Sequence, residues 1–188
     1  MREYGNFQFV KTGIEGLVIV ETKSYGDHRG YFMETYREEH FISGGIPAKF
    51  VQDNQSSSTK GVLRGLHFQT ENTQGKLVRV LRGEVYDVAV DLREESATYG
   101  QWRGVMLTGD NRKQFYVPEG FAHGFQVVSD YAEFAYKCTD FYNPKAEGGI
   151  MWNDPDLNID WPIKGVAEVK LSEKDMNLEF MSGFISPF

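Results

Sequence analysis

The chain has a single cysteine, Cys138, so no internal disulfide can form and a thiol pair for redox work is excluded. Proline is scarce, with 6 among 188 residues, and no Pro- or Ser-rich tract divides the chain; Ser56, Ser57 and Ser58 form a polar stretch too short to separate domains. Positive charge is in deficit. The 20 Lys and Arg against 27 Asp and Glu leave a formal charge of −7, with no basic run to offset it. Proteins that track nucleic acid or lie on anionic membranes gather positive charge on one face, so neither partner is expected. An anionic small ligand would need a few cations converging locally. No apolar run approaches the roughly 20 residues that span a bilayer, and no basic stretch followed by an apolar one opens the chain. These absences predict a cytoplasmic protein.

Aromatic residues and glycine are plentiful: 14% of the chain is Phe, Trp or Tyr, and 20 residues are Gly, which argues against disorder. A chain of this length buries a core without disulfides, and residues 1–188 read as one domain. Short runs rich in Val, Leu, Phe and Tyr, punctuated by glycine, carry the period of two that marks strands. They predict strands at residues 17–21, 31–36, 61–68, 104–108, 113–117, 121–128 and 132–139. Lys76–Arg82 and residues 84–92 alternate about Gly83 and read as a hairpin. Many short strands with turns predict an all-β sandwich or barrel. Helix is predicted only at residues 38–43 and after Ser172, where Ser-Glu-Lys-Asp has the form of a capped start.

Two of the four histidines, His67 and His123, fall inside strand-like segments, whereas His28 and His40 lie in polar stretches. A strand histidine is as often a hydrogen-bonded core imidazole as a proton carrier, so its surroundings decide. Around His67 the pattern puts Arg64, Lys76, Arg79 and Arg82, with Tyr86, Asp87 and Asp91 beyond the Gly83 turn, on one sheet. Arg64 and His67 are three residues apart, hence on opposite faces of an ideal strand; both reach one cavity only if Gly65 marks a bulge. Tyr136 shares parity with Phe134 and Cys138 and is predicted to face inward, where its hydroxyl needs a partner or a task. Tyr142, in a Phe-Tyr-Asn-Pro turn, is either a loop anchor or a stacking platform. A metal is not expected. Metal cupins place two histidines one residue apart, and the corresponding positions here are His67 and Gln69. Cys138, flanked by apolar neighbours, reads as packing, and no glycine-rich segment opens a helix after a strand as a phosphate loop would.

Residues 26–34 (GDHRGYFME), 50–54 (FVQDN), 62–69 (VLRGLHFQ), 74–79 (QGKLVR), 87–93 (DVAVDLR), 117–125 (VPEGFAHGF) and 171–175 (LSEKD) together resemble the dTDP-4-dehydrorhamnose 3,5-epimerases, in order and with plausible gaps. Linked motifs over most of the chain are far more specific than any one short pattern. Residues 176–188 and the first dozen have no counterpart in these motifs. The resemblance implies a cupin-type jelly-roll barrel, homodimeric, free of metal and redox cofactor. It implies inversion of C3 and C5 of dTDP-4-dehydro-6-deoxy-D-glucose. By position in the motifs, His67 resembles the family's base, Tyr136 its acid, Asp175 the carboxylate paired with the histidine, Asp87 a second carboxylate and Lys76 the cation near the C4 oxygen. Arg29, Glu34, Gln52, Asp53, Asn54, Arg64, His123, Glu147 and Lys174 resemble positions around the sugar, diphosphate and base, with Tyr142 where thymine stacks. The strand carrying Arg29 and Glu34 reaches across the dimer in the family, which implies a site completed by a second subunit. Other readings compatible with these residues are a single-centre epimerase on a related nucleotide-linked 4-keto sugar, a metal-dependent cupin enzyme, and a sugar-nucleotide binding module without chemistry.

Overall fold

The structure, a computed structural model, describes residues 1–163, 166 and 168–188. In chain order its strands are β1 (Arg2–Tyr4), β2 (Phe7–Lys11), β3 (Val18–Thr22), β4 (Ser24–Asp27), β5 (Gly30–Met33), β6 (Gln52–Thr59), β7 (Leu63–Gln69), β8 (Lys76–Arg82), β9 (Glu84–Asp91), β10 (Trp102–Thr108), β11 (Gln114–Val117), β12 (Phe121–Val127), β13 (Tyr131–Cys138) and β14 (Glu147–Gly149). One helix, α1 (Glu38–Gly44), stands among them. Acidic Glu38 and Glu39 suit its N-terminal dipole, and Gly45, at φ 99°, takes the left-handed turn that ends it.

Two antiparallel sheets carry the fold: a seven-stranded one in the order β1-β2-β3-β11-β8-β13-β6 and a five-stranded one in the order β10-β9-β12-β7-β14, with β4 and β5 as a separate two-stranded arm. Between the facing sheets lie Val78, Val80, Phe115 and Phe134 from the first and Val85, Ala89, Phe121 and Phe125 from the second. Each fully buried side chain of this size stabilises the fold by about 1.5–3 kcal/mol. The outer face of the seven-stranded sheet buries Phe7, Phe9 and Leu77 against Phe41 of α1. The outer face of the five-stranded sheet buries Leu66, Phe68 and Val90 under Leu157, Trp161 and the aromatic C-terminus. This is the cupin-type jelly roll that the strand pattern and the family resemblance imply. Among the described residues no helix is long and apolar enough to cross a membrane.

The predicted hairpin around Gly83 is corrected. β8 pairs with β11 and β13, whereas β9 pairs with β10 and β12, so Gly83 is a crossing from one sheet to the other. Alternation about a glycine is the same for a hairpin and for a corner. At φ 79°, with the Tyr131 carbonyl where a Cβ would stand, this residue tolerates no side chain. Lys76 of β8 and Asp87 of β9 therefore approach each other across the interior instead of sharing one sheet, while Arg79 lies on the outer face with Leu77 and Arg82 is exposed. Two further differences follow from local chemistry. Residues 52–59, of which only Ser56, Ser57 and Ser58 stand out in the sequence, as a polar stretch, form edge strand β6 paired along β13. The helix after Ser172 shrinks to a 3-10 turn, Asp175–Asn177, because the chain then turns to seat Leu178 against Gly149.

Candidate active site

His67 and Tyr136 approach one cavity from opposite sheets, His67 from β7 and Tyr136 from β13. The cavity measures about 430 Å³, and its wall also carries Arg64, Lys76, His123 and Lys174. Arg64 and His67 share it because β7 bulges. Opposite β12, His67 pairs with His123 and Arg64 with Phe125, so three steps of β7 match two of β12. Gly65 makes the bulge possible: a Cβ there would lie 2.5 Å from the Gly124 Cα, and its φ of 124° excludes ordinary side chains. Parity is reversed within the strand, and a guanidinium and an imidazole face the same space.

Nε2 of His67 lies 2.5 Å from Oδ1 of Asp175. That carboxyl is 3% exposed. Burial opposes its ionisation, but contacts from His67, Ser172 and Lys174 outweigh it and hold the group below the usual carboxylate range. The ionised Asp175 can only accept, so the hydrogen bond runs from Nε2–H of His67 to the carboxylate and leaves Nδ1 as the ring nitrogen available to another partner. Its backbone N–H is received by Ser172 Oγ at 3.1 Å, the bond that the Ser-Glu-Lys-Asp motif predicts.

A second imidazole–carboxylate pair joins His123 Nε2 to Asp87 Oδ1 at 2.8 Å. Here burial pushes the carboxyl of Asp87 upward against the pull of His123 and Lys76, and its Oδ2 has no hydrogen-bond partner among the described residues. Lys76 opens β8 opposite Cys138. Burial pushes its ammonium downward, opposed by the neighbouring Cys138 and Asp87. Burial likewise raises the Tyr136 phenol above its usual value, which keeps the hydroxyl protonated at neutral pH. The arrangement thus brings an imidazole, a protonated phenol and a lysine to one cavity, groups whose chemistry suits proton movement beside a carbonyl.

The remaining sequence candidates divide into two groups. Lys174 lines the cavity and pairs with Glu147; Glu147, Gln52, Asn54 and Tyr142 do not line it but stand beside Tyr136, Gln52 donating to Asn54 at 3.1 Å and accepting from the Tyr142 N–H at 3.0 Å. Three others do not join the cavity within this subunit. Arg29 pairs with Asp27 at the tip of the β4–β5 arm, Glu34 pairs with Arg37, and Asp53 pairs with Lys137 at 2.9 Å on the outer face of the sheet. Asp91 is buried at a distance from the site, clasped by Arg93, Ser96 and Thr98.

Sequence reasoning missed Lys170, Ser56 and Ser58. Lys170 and Ser56 line the cavity. Ser58 accepts hydrogen bonds from Arg64 at 3.1 and 3.2 Å, fixing the guanidinium. The alternation of residues 52–59 as a strand is the signal that sets Ser56 and Ser58 on the face of Asn54.

Fold and site together define a jelly-roll enzyme of the proton-transferring, isomerase class. The model of the dTDP-4-dehydrorhamnose 3,5-epimerase family matches residues 11–182, and the chain belongs to that family. It is 56% identical over 171 residues to the dTDP-4-dehydrorhamnose 3,5-epimerase of Methanothermobacter thermautotrophicus, covering 91% of this chain and 92% of that one. The enzyme of the same name from Salmonella typhimurium is 54% identical over 168 residues, covering 88% and 91%. Among solved structures, the dTDP-6-deoxy-D-glucose-3,5-epimerase of Legionella pneumophila in complex with dTDP-4-keto-L-rhamnose superposes with a TM-score of 0.91 at 52% identity, covering 95% of each chain.

Proposed function

We propose that the protein inverts C3 and C5 of dTDP-4-dehydro-6-deoxy-D-glucose to give dTDP-4-dehydro-L-rhamnose, with His67 as base and Tyr136 as acid. Both carbons flank the C4 ketone. Removing either proton moves the C–H electron pair into the carbonyl and gives an enolate; returning a proton to the opposite face restores the ketone with the centre inverted. The observation that carries this reading is that His67 and Tyr136 enter one cavity from opposing sheets.

In this reading the His67 imidazole takes the proton and Asp175 stabilises the resulting cation. Tyr136 delivers a proton from the other side. Lys76 lies where the negative charge on the C4 oxygen develops, and a fixed cation in an enclosed site acts there without the reorganisation water would need. His123 and Asp87 form a second polar wall for the sugar. Arg64 and Lys174 supply positive charge for the diphosphate, so an acidic protein still holds an anion. Gln52, Asn54 and Glu147 surround the nucleotide, and Tyr142 offers its ring to the base.

The reading includes a homodimer in the cytoplasm, with Arg29, Glu34 and Asp53 serving the partner's site. Its support is the β4–β5 arm, which exposes 55% of Tyr31 and 72% of Phe32, more apolar surface than a two-stranded arm keeps in water. Incubation with dTDP-4-dehydro-6-deoxy-D-glucose in D2O, followed by NMR, tests the reaction. Deuterium is expected at both C3 and C5; label at one carbon alone would reduce the protein to a single-centre epimerase, and label at neither would make it a binder.

A further inference from the structure

Asp175 stands on a 3-10 turn of three residues, Asp175–Asn177. A turn that short has no stability of its own. Its own bonds, from the Asp175 N–H to Ser172 Oγ and from the Met176 N–H to Ser172 O, both 3.1 Å, tie it only to the residues just before it, so apart from the His67 contact itself the position of the turn against β7 depends on what grips the chain on either side. Upstream, the Lys170 N–H donates to Gly61 O at 2.8 Å, and its carbonyl accepts from Leu63 N at 3.0 Å. Downstream, the grip comes from the C-terminal strap, residues 178–188. The Met151 N–H donates to Glu179 O at 2.7 Å. Two residues later the Met181 N–H donates to Asp154 Oδ2 at 2.7 Å.

Asp154 is 2% exposed and uses both carboxylate oxygens. Its Oδ1 receives the backbone N–H groups of Asp156 and Leu157, both at 2.9 Å, and Oδ2 holds the strap. Beyond it, Phe184 and Phe188 set their rings edge-on against Phe68, with centroids 5.6 and 5.5 Å away, and Glu94 N bonds the Phe188 carbonyl at 2.9 Å. Phe68 is the residue after His67 and points to the opposite face of β7. The same strap thus bears on the strand that carries the imidazole and on the turn that carries its carboxylate.

The geometry points to Asp154 as a positioning residue for proton transfer, holding Asp175 against His67 through the strap. This rests on the reading of His67 and Asp175 as the base and its carboxylate. A loosened strap lets Asp175 drift together with its neighbour Lys174, and a displacement of even 1 Å between carboxylate and imidazole costs turnover, while the nucleotide-binding side chains of β6 and β7 stay in place.

The test compares wild type, Asp154→Asn and Met181→Pro for deuterium incorporation and epimerisation of dTDP-4-dehydro-6-deoxy-D-glucose, each also in an Asp175→Asn background. Asp154→Asn keeps the shape but turns an acceptor into a donor. Met181→Pro removes the N–H, at the first position of a 3-10 turn after an extended Phe180, where proline fits, and because it also trims a side chain packed on the outer cluster, Met181→Ala serves as its control. The expected result is a fall in kcat of roughly 10-fold with a smaller rise in KM through Lys174 of the same turn, and no further loss of kcat once Asp175 is already Asn. Unchanged kcat, or losses that multiply in the Asp175→Asn background, would overturn the inference. Should Asp154→Asn not fold, Met181→Pro decides by the same criteria. An inactive wild type would instead overturn the functional reading beneath it.

Discussion

His67 and His123 face each other directly across β7 and β12, and each presents Nε2 to its own carboxylate, Asp175 at 2.5 Å and Asp87 at 2.8 Å. The two pairs look alike and differ electrostatically. Asp175 is held below the usual carboxylate range, whereas burial drives Asp87 above it. When neighbouring acids are pushed apart in this way their tasks diverge. In the proposed reaction the low carboxylate is the one suited to an imidazolium forming at His67; the high one is pushed up by burial against the pull of His123 and Lys76. Asp175→Asn is accordingly expected to lower kcat by about 10- to 100-fold with nucleotide affinity nearly unchanged, as read by steady-state kinetics and dTDP titration. Equal losses in both would remove Asp175 from the proton path.

Tyr136→Phe separates the two halves of the reaction. The ring remains to pack against the core around Phe134, with only the hydroxyl removed. Epimerised product is expected to fall by roughly 10²- to 10⁴-fold. Exchange of substrate hydrogen with D2O should decline less, because His67 can still remove a proton and return it to the face it came from. An equal decline of exchange and product, measured by NMR on one sample, would assign Tyr136 to proton removal as well.

Gly65→Ala tests the bulge. The added methyl would meet the Gly124 Cα at 2.5 Å and the His123 carbonyl at 2.8 Å, both backbone atoms that cannot step aside, at a φ of 124°. A loss of about 3 kcal/mol or more in urea unfolding is expected. The surviving folded protein should also bind the nucleotide diphosphate less tightly, since Arg64 and His67 no longer share a face. A variant as stable as wild type would show that the two strands can move apart here.

Asp91 gives the fold an acid limit. Burial disfavours its charge, yet hydrogen bonds from Arg93, Ser96 and Thr98 prevail and pull its pKa from 3.8 to about 2. A group depressed on folding contributes stability that is complete above the unfolded value and lost as pH falls through the folded one. About 2 kcal/mol should therefore disappear between roughly pH 4 and pH 2. In Asp91→Asn the urea midpoint is expected to be lower at neutral pH, with the gap to wild type closing across that window. A constant gap would assign the acid limit to other carboxylates.

The sequence shows its barrel class because strands buried between two sheets alternate, and parity turns Tyr136 inward, whereas Lys76 and Asp175 are legible only through the motifs and His67 shares a face with Arg64 only through the Gly65 bulge. Three features escaped for physical reasons. The Gly83 corner looks like a hairpin because pairing partners are a long-range property, set by which sheet each strand joins. β6 was hidden because QDNQSSST has no apolar face: its less exposed side, Gln52, Asn54, Ser56 and Ser58, is polar, and Ser56 reaches the cavity wall. The strap was hidden because its hold on Asp175 passes through backbone N–H groups and one remote carboxylate, Asp154, which leave no pattern in residue type.

If the β4–β5 arm completes the site of a partner subunit, two crippled chains should restore each other. His67→Asn removes the base from its own site; Arg29→Ala removes a cation that lies at the arm tip, outside the cavity of its own subunit. In a mixed dimer one site then carries both lesions and the other carries neither. Each variant alone is expected to be nearly inactive, and an equal mixture, refolded together from urea, should regain roughly a quarter of wild-type turnover, since half the dimers are mixed and half their sites are intact. Size-exclusion chromatography confirms that dimers have re-formed. A mixture no more active than the average of its two components would confine every site to one chain, and Arg29, Glu34 and the exposed Tyr31 and Phe32 would then need another partner.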